Sequence, residues 1–285
     1  MKNQLYALVL MFLGKTLCVN AQTKKFSPYW TYSVLVSSTH FLGDLGGEQS
    51  KGKNGFYDLE FSNTRYALGT GVQYNLPTGF SFSLEAAYAR LYADDRFSHE
   101  NRKHRNLHVR TDIFEPAFKI EYTVPDVGLY FNTGIGVCFY KPMAKYDGKW
   151  YELRPLGTEG QNIDPKKEVY DVAAAVIPFG IGKKFLLPND VTLAIDFSFR
   201  KSFTDYLDDV STEYYDNSAI QKESGDIAAA LADPNQTKKI SGSKRGESTN
   251  NDNYTFVGFK LYLPIQKNYR GQWYRRYKHR GGRYR

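Results

Sequence analysis

Apolar and polar side chains alternate with a period of two over much of the chain, a pattern typical of β-strands whose two faces meet different surroundings. From Tyr66 onward, for example, large residues such as Leu68 and Val72 fall on one face, and small ones such as Gly69 fall on the other. Each uninterrupted stretch of this kind predicts one strand. The six stretches span residues 30–37, 66–76, 80–89, 129–140, 191–200 and 254–263.

Two more stretches are strand-like but less regular. Within residues 107–124 the alternation changes parity after Ile113, which predicts a β-bulge near Glu115-Pro116. Residues 169–185 run through three consecutive alanines and Pro178, so the pattern leaves the register of that strand open. The chain is therefore predicted to form eight strands.

The connections between these strands alternate strictly between short and long. The short ones carry Pro, Asp, Asn or Gly and span residues 75–79, 125–128 and 187–190. The long, polar ones span residues 39–64, 91–106, 142–168 and 202–253. Outer-membrane barrels sort their loops in this way, with short turns in the periplasm and long loops outside.

Loop sorting and strand length together predict the fold class. Strands of about ten residues suit a tilted crossing of the bilayer. We therefore expect an all-β protein, an eight-stranded antiparallel transmembrane β-barrel with long extracellular loops and a basic C-terminal tail. It would lie in the cell outer membrane with its C-terminus in the periplasm. A soluble sandwich or a lipocalin-like barrel is the alternative, but neither explains the sorted loops.

Amino-acid composition excludes one class of membrane protein. Mean hydropathy is −0.53 and no apolar run reaches 18 residues, which excludes a helical membrane bundle.

The N-terminus is predicted to be a signal peptide over residues 1–21. The prediction rests on Lys2, the apolar residues 5–13 and the small-residue cleavage site ending at Ala21, and a buried N-terminal helix is the alternative. Residues 22–264 would form the barrel and residues 265–285 a periplasmic tail. Only Cys138 would then remain, so no disulfide is expected.

The predicted inward faces carry small residues and a few charges of both signs. Because eight strands leave an interior that side chains fill, we expect these charges to pair with one another inside the lumen. A conducting pore is the alternative. The predicted inward charges are Glu85, Arg110, Asp112, Asp196, Arg200 and Lys260.

Catalysis by this chain would need the histidines near the predicted outer rim. His40, His99, His104 and His108 lie there with acidic residues nearby, as in barrels that modify lipid A, but no spacing matches a metal motif. The run 99–105 is better interpreted as a basic loop that meets outer-membrane lipid and lipopolysaccharide phosphates. We therefore predict no enzyme, and no catalytic, cofactor-binding or metal-binding residue.

Residues 203–211 form the densest polar cluster. Three carboxylates within five residues are compatible with calcium binding, although the order of an EF-hand is missing. A structural role, with Thr204 or Asp205 capping a short helix and the carboxylates forming salt bridges, is the favoured interpretation. Further on, residues 226–232 predict a short helical insert, followed by a mobile polar run up to Ser248.

The tail carries the whole net charge of +8. Eight of the 38 Lys and Arg residues follow Pro264 without one acid, so the rest of the chain holds 30 bases against 30 acids. Aromatic residues are interleaved with these cations, which predicts binding to an anionic periplasmic partner rather than a solvated tail or a nucleic-acid arm. The candidate partners are an acidic protein surface, inner-leaflet phosphates and peptidoglycan. The predicted partner-binding residues are Arg270, Trp273, Tyr274, Arg275, Arg276, Tyr277, Lys278, Arg280, Arg283 and Arg285.

Four segments resemble the PorG-type outer-membrane proteins of the type IX secretion system of Bacteroidota. They are residues 40–45 (HFLGDL), 158–161 (TEGQ), 177–182 (IPFGIG) and 203–211 (FTDYLDDVS), the last being the most specific. The similarity spans roughly residues 30–264 and leaves the tail without a matching motif. It implies a non-enzymatic barrel that ties the periplasmic PorK lipoprotein and PorN ring to the outer membrane. The family-motif loop residues are Thr204, Asp205, Tyr206, Asp208, Asp209 and Ser211.

Overall fold

Eight long antiparallel strands close into a barrel in the computed structural model, which describes residues 28–43, 45, 63–95, 105–236 and 240–265. The signal-peptide prediction and the basic tail from residue 266 lie outside these ranges. The strands are β1 (Tyr29–Leu42), β2 (Arg65–Asn75), β3 (Phe80–Asp94), β4 (His108–Thr123), β5 (Leu129–Tyr146), β6 (Lys149–Glu152), β7 (Ala173–Leu186), β8 (Thr192–Ser202) and β9 (Asn253–Pro264).

Sequential neighbours pair around the ring, and β1 closes it against β9. β6 stands outside the ring, since it forms only a short hairpin with the end of β5. All eight predicted strands are confirmed. Most of them extend beyond the predicted ten residues at the end that carries the long loops, and β5 reaches 18 residues.

The inward and outward faces follow the predicted alternation, with one correction in β4. No bulge interrupts this strand, because its pairing with β3 runs without a break from His108 to Tyr122. Ile113 lies inside, as do Glu115 and the other odd-numbered residues. The predicted inward placement of Arg110 and Asp112 is therefore wrong, since both lie on the outer face. The apolar Ile113 at an inward position produced the apparent change of parity.

Three tight turns join strands at the end opposite the long loops, as predicted. In the first, Gly79 has a φ of 94°, and a Cβ there would lie 2.8 Å from the carbonyl oxygen of Thr123. Glycine is therefore required at this position. Both described chain ends lie at this short-turn end, where the Ile265 amide donates to the Trp30 carbonyl over 3.1 Å.

A band of exposed apolar side chains surrounds the barrel. Leu84, Ile135 and Ile195 are 62%, 68% and 50% exposed, values unusual for large apolar residues in contact with water. On β3 the band runs from Phe80 to Tyr88, about 26 Å along the strand at ~3.3 Å per residue. A tilt of about 40° shortens this to about 20 Å, close to the apolar height of a membrane barrel.

Ion pairs and tyrosines fill the lumen. Glu85 lies between Lys119, at 3.0 Å, and Lys260, and Glu121 binds Lys184. Below the mouth, the charged side chains that line the lumen include four acids and four bases: Glu85, Glu115, Glu121, Asp196, Lys119, Lys184, Arg200 and Lys260. Charge pairing within the lumen agrees with the sequence, but four of these residues were not foreseen: Glu115, Lys119, Glu121 and Lys184.

Two short helices lie in the long connection between β8 and β9. They are α1 (Asn217–Ser224) and α2 (Asp226–Ala232), and α2 matches the predicted insert. Ile220 and Ala228 are buried between the helices and residues of the connection before β7, such as Ile163. No helix among the described residues is both long and apolar enough to cross a lipid bilayer.

Candidate functional site

The described parts of the four long connections meet over one end of the barrel and form a single structure, here called the cap. Its described parts are residues 43, 45, 63–64, 95, 105–107, 147–172, 203–236 and 240–252. Polar groups are buried throughout it, although a connection that faced only water would leave them exposed. The cap holds both segments that carry the family resemblance outside the strands, residues 158–161 and 203–211.

Leu207 closes the barrel mouth. Its side chain is fully buried among strand residues such as Ile113 and Phe256. Its backbone is held from two sides, since Asp252 accepts its amide over 2.9 Å and the Thr111 hydroxyl donates to its carbonyl. The family-motif loop is thus inserted into the top of the lumen.

Stacked tyrosines join this loop to the wall. The Tyr170 and Tyr206 rings stack with centroids 4.5 Å apart, and Tyr170 also stacks on Tyr140 of β5 at 6.4 Å. Tyr170 belongs to the connection before β7, because that strand begins at Ala173 and not at the predicted Val169. The residue therefore serves the cap and not the barrel wall.

The Glu159 carboxylate binds several other residues of the cap. Its carboxylate accepts the backbone amides of Ser211 and Thr212 over 3.0 and 3.1 Å, and the Thr212 hydroxyl over 2.6 Å. Arg245 donates to the same carboxylate over 3.0 Å, and both side chains are 1% exposed. The two resemblance segments are therefore joined directly by Glu159.

Asp209 forms the second half of this cluster. Its carboxylate accepts the hydroxyls of Thr158 and Tyr170, and Arg245 lies 3.9 Å away. Burial raises the pKa of the Asp209 carboxyl to about 6, although Arg245 and the two hydroxyls favour the ionised form. Burial and the Asp209 charge likewise raise the pKa of Tyr170, so its hydroxyl stays a donor.

The remaining carboxylates of the motif loop, Asp205 and Asp208, are buried. Asp208 accepts the Leu45 amide over 3.1 Å and its own loop's Val210 amide over 3.0 Å. Neither Thr204 nor Asp205 caps a helix, because none forms here. The Thr204 hydroxyl instead accepts the Tyr206 amide over 3.2 Å in a local turn. Across the described ranges, no group of three or more His, Cys, Asp or Glu side chains is placed to hold a metal ion.

The histidines of the rim do not share one setting. His40 lies beside Ser38 and Thr64. The His108 and Trp150 rings are instead in a T-shaped arrangement, with their centroids 6.4 Å apart. His99 and His104 lie outside the described residues, with most of the predicted basic loop. Its last member, Arg105, makes a bidentate ion pair with the buried Asp95 over 2.8 and 3.0 Å.

Arg245 is the cap residue that sequence reasoning missed. It lies in the polar run predicted to be mobile, yet it is 3% exposed and donates to the Asp209 carbonyl over 2.7 Å. Nothing in residues 240–248 signals burial, because the run shows neither an apolar period nor a motif. The predicted partner-binding tail residues, from Arg270 to Arg285, fall outside the described ranges.

A closed antiparallel barrel with an apolar outer band, a filled lumen and a capped mouth defines an integral membrane β-barrel of the outer-membrane type. No protein-family model and no curated protein matches the chain. Among solved structures, it is similar to Neisserial surface protein A (NspA), with 6% identity and a TM-score of 0.38 over 84% of this chain and 97% of that chain.

Two further solved structures are also similar to this chain. Ail, the attachment invasion locus protein of Yersinia pestis, was solved in complex with the heparin analogue sucrose octasulfate. It shares 5% identity at a TM-score of 0.39, over 84% of this chain and 100% of that one. The outer membrane protein AlkL in DMPC bilayers shares 13% identity at a TM-score of 0.32, over 86% of this chain and 96% of that one.

Proposed function

We propose that this chain is a non-enzymatic outer-membrane barrel of the type IX protein secretion system, which ties a periplasmic lipoprotein and ring complex of the PorK and PorN kind to the outer membrane. The observation that carries the proposal is the contact between residues 158–161 and 203–211. These are the segments that resemble PorG-type proteins, and Glu159 and Asp209 join them into one buried cluster.

An anchoring role agrees with a lumen that is filled by side chains and closed at its mouth. Charged pairs such as Glu85–Lys260 fill its lower part, and Leu207 closes its mouth. A side chain–filled barrel is suited to holding a partner at the membrane and not to passing solutes.

The orientation that we propose follows from the two ends of the barrel. The cap would face outward and the short turns would face the periplasm, as in outer-membrane barrels generally. Ile265 lies at the short-turn end, so the tail that follows it would enter the periplasm. Its eight cations would there meet an acidic surface of the lipoprotein or ring.

Deletion of the gene tests the proposal. Type IX cargo should accumulate inside the deleted cells, while the mass of lipid A stays unchanged, and the full-length chain should restore secretion. Normal secretion would overturn the secretion role and leave a structural or adhesive barrel. A change in lipid A mass that the full-length chain reverses would identify a lipid-modifying enzyme instead.

Truncation after Gln266 tests the tail separately. The truncated barrel should insert normally, because β9 ends at Pro264, but should no longer co-purify with its periplasmic partner. Recovery of the partner by the full-length protein should fall with salt, because the Debye length shortens from about 10 Å at 0.1 M to about 3 Å at 1 M. Equal recovery by both forms would overturn docking through the tail.

A further inference from the structure

The outer face of β3, β4 and β5 changes from apolar to charged at one common level. Moving toward the cap, the next outward residue after Tyr88 is Arg90, and the next after Phe139 is Lys141. Between them on β4 lies Asp112, which pairs in register with both Arg90 and Lys141. Three charged residues on neighbouring strands therefore lie side by side, directly above the apolar band.

Ion pairs and aromatic rings hold the two arginines of this region. Arg90 donates to both oxygens of Asp112, over 2.6 and 3.2 Å, and also to the Tyr88 hydroxyl over 3.3 Å. Arg110 lies 3.7 Å from the same carboxylate and stacks over the Trp150 ring at 4.4 Å. The single negative charge of Asp112 thus holds both guanidinium groups in place but neutralises only one of them.

The side chains remain within reach of a ligand. Arg90 is 26% exposed, and Lys141 is 53% exposed while it pairs with Glu152 over 2.6 Å. Each guanidinium has five N–H donors, of which Asp112 occupies two on Arg90. We call Arg90, Arg110 and Lys141, with Asp112 between them, the rim patch.

On the opposite side of the barrel, the cap-side end of the outer face carries few charges. Lys201 of β8 is the outward cation there among the described strands, and its register partners are Ile177 and Asn253. On β1, Ser38 lies opposite Val257. The rim patch is therefore a local feature of β3–β5 and not part of a uniform ring of charge.

We propose that the rim patch binds the phosphate group of a membrane lipid whose acyl chains cover the apolar band below it. An arginine fork matches the geometry of a phosphate, and Tyr88 and Trp150 border the patch with rings suited to a membrane interface. Only an amphiphile meets both surfaces at once, which favours a lipid over free phosphate. The proposal rests on the proposed function only for orientation: with the cap outward, the lipid is lipid A.

Native mass spectrometry of the purified full-length barrel, released from detergent with added lipid, tests this binding without any secretion assay. Wild-type protein should retain diphosphoryl lipid A and bind dephosphorylated lipid A about tenfold less. The double variant Arg90→Gln/Arg110→Gln should lose about tenfold in affinity for the diphosphoryl form. The matched control Lys201→Gln, an outward cation on the opposite side of the barrel, should bind as the wild type does.

Three results would overturn the proposal. Equal retention of both lipid A forms would show that phosphate is not recognised, and equal losses in Lys201→Gln and the double variant would show only general attraction. Competition by inorganic phosphate at the lipid's own concentration would identify a free-phosphate site. Heat-modifiable gel migration confirms that each variant is folded, and single Gln variants replace the double one if it is not. Because secretion is not measured, failure here leaves the proposed function untouched.

Discussion

Glu159 and Arg245 lie 86 residues apart in sequence, in two different connections, and form an ion pair with 3.0 Å between Arg245 Nη1 and Glu159 Oε1. Both side chains are 1% exposed. A buried pair of this kind gives little net stability, because both charges lose their hydration. Loss of one partner is different, since it leaves the other charge buried and uncompensated. The pair therefore makes the closed form of the cap dependent on each of its members.

Replacement of Arg245 by Met should open the cap. The variant leaves Glu159 and Asp209 without their cation, and we expect a loss of about 3–5 kcal/mol in cap stability. Hydrogen exchange at the Ser211 and Thr212 amides should rise, while heat-modifiable migration shows an intact barrel. The neighbouring variant Lys244→Met removes an exposed pair, which water and salt screen, and should change little. Unchanged amide protection in Arg245→Met would contradict the role of Arg245.

Cap stability should also depend on pH through Asp209. Because burial raises its folded pKa from 3.8 to about 6, the protonated carboxyl is favoured in the folded cap. This contribution is fully present below about pH 4 and is lost as the pH rises through about 6. The charged and titratable groups that face this carboxyl are Glu159, Arg245, Tyr170 and Tyr206.

Near-UV circular dichroism of the stacked tyrosines provides the measurement. The thermal midpoint of the wild-type cap should fall between about pH 4 and about pH 6 and then level off. Asp209→Asn should lack this fall, because an amide does not titrate. The same slope in both proteins would assign the pH dependence to another group.

The barrel was predictable because each strand repeats one local rule. Alternation with a period of two places Glu85, Asp196, Arg200 and Lys260 inside, and the structure confirms all four. The rule failed in β4, where Ile113 is an apolar residue on the inner face. Near the mouth, inward side chains contact Leu207 of the cap and not other charges, so an apolar inward residue there is well placed.

The cap was not predictable in the same way, because its contacts join distant loops. The sequence pattern marks residues 203–211 as unusual, but it does not reveal that Glu159 accepts their amides or that Arg245 completes the cluster. The β5–β6 hairpin did carry a signal, since Asp147-Gly148 is a dipeptide typical of two-residue turns. Both residues have positive φ, at 46° and 78°.

Neutralisation of Glu85 should destabilise the barrel itself. Glu85→Gln leaves Lys119 and Lys260 without their shared carboxylate inside the lumen, and we expect a loss of about 3–5 kcal/mol. The temperature at which the folded band disappears in heat-modifiable gels should fall. Glu152→Gln removes the partner of the exposed Lys141 and serves as the control, with an expected effect of about 0–1 kcal/mol. Similar temperatures for both variants would argue against a structural role for the lumen pairs.

A charge at the centre of the apolar band distinguishes a lipid-facing surface from a water-facing one. Ile135 lies midway along the outer face of β5 and is 68% exposed, so Ile135→Arg disturbs no packing inside the barrel. In a bilayer the substitution should cost about 2–4 kcal/mol near the midplane, whereas Leu129→Arg, on the same face at the short-turn end of the strand, should cost about 0–1 kcal/mol. Urea unfolding of both variants in phosphatidylcholine vesicles measures the difference. If Ile135→Arg folded as stably as Leu129→Arg, the band would not face lipid, and the exposed apolar residues of all eight strands would need another covering surface.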